Sequence, residues 1–210
     1  MKLYIMNGSP MVRKVQAVIN YLNLKVEIIE KNLMNGELKE EGYLALNPNA
    51  KVPVLVDGDF VLWESNSIIQ YLTDKYDGEE LFPKDLNKRY EIVKWQFWEI
   101  NSFNSNVGKL IWETLLKGLF GLGEADESIV ENALEQIKTV APTLENQLEG
   151  RKFIVGEKLT LADFSVAAFS AMIQSESSRF PLNDYPNIKA WLKRLDENEA
   201  WSKTKPPFVL

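Results

Sequence analysis

A proline at the head of a short apolar run constrains this chain more than any other feature. In Asn47-Pro48-Asn49-Ala50-Lys51-Val52-Pro53-Val54-Leu55, Pro53 stands where a strand would make its first ladder hydrogen bond. Proline has no N–H to donate, so it is confined to strand starts, edges and bulges. The run turns through Asp57-Gly58-Asp59 and returns as Phe60-Val61-Leu62-Trp63, which reads as a hairpin. The backbone groups of Val52 are then free to pair with something outside the sheet, and the Val52–Pro53 bond is expected to be cis. Glu64-Ser65-Asn66-Ser67 comes nine residues after Leu55 and opens the next helix. Free N–H groups at such a helix start attract a carboxylate. A free strand edge beside a helix N-terminus makes a clamp for a short peptide.

Two absences narrow the chemistry. The 210 residues include no cysteine and no histidine. Disulfides, zinc–thiolate sites, a protein thiol nucleophile and Ser-His-Asp catalysis are therefore excluded. No clustered Asp/Glu motif suggests a metal site, and any nucleophile of low pKa must arrive with a ligand. The formal net charge of −6 argues against binding nucleic acid or an anionic membrane, both of which need a basic face. With 45% hydrophobic and 26% charged residues, no membrane-length apolar run and no signal-peptide pattern, a cytoplasmic globular protein is expected.

The clamp resembles the glutathione-binding half of the glutathione transferases, and the resemblance extends over nearly the whole chain. Lys51-Val52-Pro53-Val54-Leu55, followed by Trp63-Glu64-Ser65-Asn66-Ser67-Ile68-Ile69-Gln70-Tyr71-Leu72, is similar to the family's own pattern. The resemblance implies glutathione as co-substrate, with Val52 pairing its backbone with the cysteinyl part and Pro53 setting that edge. It assigns the γ-glutamyl end to Glu64 and Ser65. Read locally, Glu64 and Ser65 are also good helix-start residues, and both roles are compatible. Lys51 and Lys39 are, by the same local reading, ordinary solvated lysines. The resemblance gives them the glycyl carboxylate, since Gly36-Glu37-Leu38-Lys39 is similar to a plant-type motif. Leu38 and Ala50 stand where relatives carry histidine, which weakens that end of the site.

Leu3 to Met6 reads as a first strand, and Val12, Val15, Ile19 and Leu22 follow at helical spacing. Val26 to Ile29 reads as a second strand parallel to the first. A short helix near Glu37 to Leu44, the Pro53 hairpin and a helix from Glu64 to Lys75 complete βαβαββα. That order resembles an α/β thioredoxin-like domain, expected over residues 1–76. Residues 77–86 read as a linker and 87–210 as an all-α helical bundle domain. In that half the spacing predicts helices through Tyr90, Val93, Trp95, Phe97 and Ile100, and over Glu127–Leu148 with Ile129, Ala133, Ile137, Ala141 and Leu144 inward. Further helices are expected over Lys158–Ile173 and Ile188–Leu195. Thr160-Leu161-Ala162-Asp163 reads as a capping box.

Ser9-Pro10 opens the first helix. Locally this is a preferred N-cap followed by a preferred first helical residue. The same hydroxyl, beside the positive end of the helix dipole, is also placed to stabilise an anion such as a thiolate. In serine-type transferases the catalytic serine precedes an arginine by four positions, as Ser9 precedes Arg13, so the resemblance makes Ser9 catalytic. Asn7 is the rival donor, whereas Tyr4 lies within the first strand. The resemblance implies a second, hydrophobic substrate site against Met11 and the helical residues Phe103, Asn104, Val107 and Ile111. It also implies a homodimer of theta-, phi- or delta-like or bacterial type. The activity expected is attack of the glutathione thiolate on a small hydrophobic electrophile. Peroxidase or isomerase chemistry on the same site, or a non-catalytic interaction module, are the alternatives.

Overall fold

The computed structural model describes residues 1–206; the last four residues of the expected 87–210 helical region lie outside that range. Strand β1 (Lys2–Ile5) is followed by helix α1 (Pro10–Tyr21) and strand β2 (Glu27–Glu30). A single 3₁₀ turn at Glu37–Lys39 and helix α2 (Glu41–Leu44) lead to strands β3 (Val54–Asp57) and β4 (Phe60–Trp63), then helix α3 (Ser65–Lys75). The sheet order is β2-β1-β3-β4, with β1 parallel to β2 and antiparallel to β3, and β3 antiparallel to β4. The expected βαβαββα order is what forms.

Alternation along the strands gives the sheet two apolar faces. Leu3, Ile5 and Leu55 face a core built with Val12, Val15, Val18 and Ile19 of α1 and Ile68, Ile69 and Leu72 of α3. On the other face Val54 packs with Leu38 and Tyr43, and Tyr4 meets Tyr43 edge-on at 5.7 Å. Tyr4 is thus a packing residue. Helix α1 stops where Asn23 adopts a left-handed φ of 51°, letting the Leu24 N–H reach the Ile19 carbonyl at 3.0 Å.

Residues 76–85 contain neither helix nor strand, and the remainder is helical. A long helical run holds α4 (Leu86–Trp98), a π-helical turn at Glu99–Phe103, α5 (Asn104–Ile111), a second π turn at Trp112–Leu116 and α6 (Lys117–Leu119). Then come α7 (Glu127–Gln147), α8 (Leu161–Val166), α9 (Ser170–Ile173), α10 (Pro186–Asp196) and α11 (Glu199–Ser202). Each π turn carries an extra residue and rotates the buried stripe away from a 3.6-residue period. Ile92, Trp95 and Gln96 are buried, while Tyr90, Phe97 and Ile100 are exposed.

Two smaller expectations change as well. In α7 the inward residue is Val130, with Ile129 at the surface. The helix expected over 158–173 is broken into α8, a 3₁₀ turn at Ala167–Phe169, and α9. The capping box at its start forms as the sequence suggests. Asp163 accepts from the Thr160 N–H at 2.9 Å, and also from the Ile154 N–H and Trp191 Nε1 at 2.9 Å each. One carboxylate thereby joins the α8 start, the preceding loop and α10, and every residue of α8 is buried.

Candidate active site

The Val52–Pro53 bond is cis, and β3 begins at Val54. Upstream, Asn47 forms an Asx turn by accepting from the Asn49 N–H at 3.0 Å. Its amide donates to the Lys51 carbonyl at 2.8 Å, and the Tyr43 hydroxyl donates to the same oxygen at 2.7 Å. Those bonds fix the segment ahead of the proline. Burial, with Tyr4 beside it, pushes the Tyr43 phenol up to about 12, so it remains a donor. Among the described residues, neither the N–H nor the C=O of Val52 has a hydrogen-bond partner.

Across from Val52 lies the start of α3. Glu64 is its N-cap residue, with φ of 71° and ψ of 110°, and its side chain makes no capping bond. A left-handed φ in a non-glycine residue is a strained conformation, of the kind found where a site requires it. The Glu64 carboxylate is therefore not used by its own helix. The first helical bond here is from the Ile68 N–H to the Glu64 carbonyl at 3.0 Å, so the amides of residues 65–67 precede the ladder. Met11, Asn47, Asn49, Lys51, Val52, Pro53, Glu64, Ser65 and Ile100 together line a cleft of about 200 Å³.

Of the expected site residues, Met11, Lys51, Val52, Pro53, Glu64 and Ser65 thus converge. Asn47, Asn49 and Ile100 join them without having been expected. The Asn-Pro-Asn turn was a usable signal for the first two, whereas Ile100, in the π turn after α4, reaches the cleft through the packing of the two halves. Lys39 lies exposed at the end of its 3₁₀ turn and does not line the cleft, and Leu38 is buried under the sheet.

Ser9 caps α1, its Oγ accepting from the Val12 N–H at 3.5 Å, which leaves the hydroxyl proton free to donate elsewhere. It lines a smaller cavity of about 120 Å³ with Asn7, Gly8, Arg13 and the segment Lys203–Pro206. The rival Asn7 has its amide committed to Glu30 Oε1 at 2.8 Å.

The helical candidates are corrected. Phe103, Val107 and Ile111 are core residues, and Phe103 stacks on Trp98. The Asn104 amide is committed to Glu99 Oε2 and to the Ser165 carbonyl. A stripe at spacings of three and four turns toward the bundle, as apolar stripes do. The opposite face of α5 presents Ser105, Gly108 and Lys109, with Trp112 following, to a groove of about 730 Å³ closed by Ser128, Ile129 and Asn132 of α7.

Behind Ser65 lies a buried polar cluster that joins the two halves. Lys14 and Glu99 are both 0% exposed and meet at 2.8 Å. Lys14 Nζ also donates to Asn66 Oδ1 at 2.8 Å, and the Asn66 amide donates to Glu99 Oε1 at 3.0 Å. Burial pulls the Lys14 pKa down, and the Glu99 carboxylate opposes that. The sequence held no clue to this cluster: Lys14 lies outside the Val12-Val15-Ile19-Leu22 stripe of α1, and only the packing shows that it is buried.

Comparison with known proteins fits this architecture. The family model for the glutathione S-transferase N-terminal domain matches residues 3–80, and the C-terminal domain model matches residues 100–199. Glutathione S-transferase 3 of Zea mays is 34% identical over 207 residues, covering 97% of this chain and 92% of the maize protein. The chain belongs to the glutathione S-transferase family. It is a transferase by that membership, and glutathione is the co-substrate of the family. Glutathione S-transferase D6 of Drosophila melanogaster is 29% identical over 217 residues, covering 100% of this chain and 96% of the fly protein. Among solved structures, glutathione S-transferase-I bound with lactoylglutathione superposes with a TM-score of 0.87 at 28% identity, covering 97% of each chain. A glutathione transferase of Phanerochaete chrysosporium in complex with oxidized glutathione gives 0.84 at 33% identity, covering 97% of this chain and 93% of that one.

No helix among the described residues is long and apolar enough to cross a membrane. No group of three or more acidic residues among them is arranged to hold a metal ion.

Proposed function

We propose that this transferase joins glutathione to small hydrophobic electrophiles, with the tripeptide in the Val52–Ser65 cleft and its thiol activated as thiolate beside Ser9. The observation that carries the reading is the convergence of unpaired Val52 backbone, an uncapped Glu64 carboxylate and a helix N-terminus in one cleft. Each answers a different group of a γ-glutamyl tripeptide. The Val52 amide and carbonyl pair with the cysteinyl backbone as an added strand would. The α3 amides and Ser65 Oγ take the γ-glutamyl carboxylate, which the helix dipole favours. Glu64 takes the ammonium group through a charge-assisted contact. Lys51 supplies a cation for the glycyl carboxylate, and Lys39 contributes only at longer range.

A free thiol has a pKa of about 8.5, and a helix N-terminus with a hydroxyl donor lowers it. Ser9, at the head of α1 with its proton unused, supplies both. The electrophile enters over Met11 and Ile100, with the exposed face from Ser105 to Trp112 giving room for larger molecules. We also propose a homodimer. Phe60, Trp63, Tyr90 and Phe97 are exposed, and Phe97 lines an apolar groove of about 350 Å³ between α3 and α4. A second copy covering them would remove a contiguous apolar surface from water.

Calorimetric titration with glutathione, paired with thiolate absorbance against pH, tests the central reading. Micromolar-to-millimolar binding with a lowered thiol pKa is expected, and Ser9→Ala should raise that pKa. Absence of glutathione binding would overturn the assignment, and an unchanged titration in Ser9→Ala would move the thiol contact to Asn7. Sedimentation yielding a monomer at micromolar concentration would refute the dimer.

A further inference from the structure

Helix α1 buries two consecutive cations, and they are treated differently. Lys14 faces the other half of the molecule and is neutralised by Glu99 at 2.8 Å. Arg13, only 2% exposed, turns to the C-terminal segment and has no carboxylate within ion-pairing distance among the described residues. Its guanidinium lies over the Trp201 ring, 3.9 Å from the centroid. Nη1 donates to Ser170 Oγ at 2.7 Å and Nε to Thr204 Oγ1 at 3.2 Å, while Nη2 has no partner. A fork held by a ring and two hydroxyls is an immobile positive charge.

This charge sits one turn behind Ser9. The Arg13 N–H donates to the Ser9 carbonyl at 3.0 Å, and both side chains line the same 120 Å³ cavity. We propose that Arg13 is a positioning residue for the thiol site: mounted on Trp201, Ser170 and Thr204, it fixes the Ser9 turn and adds a permanent positive field there. The C-terminal segment thereby sets the reactivity of the first helix. The inference rests on the reading of Ser9 as the thiol contact.

The carboxylates around this cavity are each held by another group, Glu30 accepting from the Asn7 amide at 2.8 Å. Asp196 of α10 is the nearest acid, and it is shared with Lys205 at 3.6 Å. Lys203 lines the same cavity and pairs outward with Glu199. Ser170, Trp201 and Thr204 are neutral. Burial pulls the guanidinium down to about 10, still protonated at neutral pH.

The experiment compares Arg13→Met, Arg13→Lys, Thr204→Val and Ser9→Ala by absorbance titration of the enzyme-bound glutathione thiol, with glutathione KM and kcat alongside. Arg13→Met should raise the bound thiol pKa by about one unit, a roughly tenfold loss of thiolate at neutral pH. It should lower kcat accordingly, leave glutathione KM within about twofold, and regain activity at alkaline pH. Arg13→Lys keeps the charge and should recover part of the shift, and Thr204→Val should show a smaller shift with unaltered stability. An unmoved thiol pKa in folded Arg13→Met overturns the proposal, as does an equal shift in Arg13→Lys. If Arg13→Met fails to fold, an unmoved pKa in both Arg13→Lys and Thr204→Val overturns it. A shift in Arg13→Met with none in Ser9→Ala removes Ser9 and leaves the Arg13 field standing; the reverse pattern removes Arg13 alone.

Discussion

The cleft at Val52 and the groove on α5 are built on opposite plans. On the strand side much of the exposed polar surface is backbone, at Val52 and at the α3 start, held by Asn47, Tyr43 and the Glu64 turn, with the side chains of Lys51, Glu64 and Ser65 beside it. In the α5 groove it is side chain, one face of α5 over a packed core. A backbone wall offers the same donors and acceptors whatever the neighbouring side chains are, which suits a co-substrate that never changes. A side-chain wall can be respecified one residue at a time, which would suit the variable electrophile proposed above. In the second wall, residues one position apart along the helix serve either the core or the groove.

The largest test concerns the joint between the walls. Lys14→Met should leave Glu99 buried and unpaired and cost about 3–5 kcal/mol in denaturant unfolding. The double variant Lys14→Met with Glu99→Met should recover much of the loss. A single variant as stable as the parent would mean that the walls are joined by apolar packing alone. Next, Ile111→Ala should cost about 2–5 kcal/mol of stability while leaving the KM for the electrophile unchanged in the folded fraction. A changed KM with unchanged stability would restore Ile111 to the substrate side. On the backbone wall, Ser65→Ala should weaken glutathione binding by about 1–3 kcal/mol with unchanged stability, read by calorimetry. Trp112→Ala should raise the electrophile KM several-fold and spare glutathione binding; the reverse would collapse the distinction between the walls.

A further test, read against pH and not by substitution, concerns the helical core. Burial pushes Asp163 up to about 6, against the hydrogen bonds it accepts from Ile154, Thr160 and Trp191. Its folded pKa lies above its ordinary value of 3.8, so the folded chain holds the proton more tightly. The contribution of Asp163 to stability should therefore fall as pH rises from about 4 to about 6, and be flat above. Carbon-detected NMR of the carboxyl gives the midpoint directly. A midpoint near the ordinary carboxylate value would show that the donated hydrogen bonds outweigh burial.

The strand-side wall was legible in the chain because its determinants are local. A proline before an apolar run, a two-residue turn and a helix-start tetrad act over a few residues, and local sterics settle their geometry. The capping box at Thr160 and the helix start at Ser9-Pro10 were legible on the same ground. Phe103, Val107 and Ile111 were misassigned because periodicity reveals a stripe without saying which way it faces.

Composition by itself ruled out a cysteine or histidine nucleophile, and short-range pattern determined the strands, the cis-proline edge and the helix starts. Tertiary structure alone decided that Lys14 meets Glu99, 85 residues away, that Arg13 rests on Trp201, and that Ile100 joins the cleft. The physical reason is the range of the forces. Backbone sterics and capping act between neighbours, whereas a buried charge is tolerated only where packing brings a partner from elsewhere in the chain.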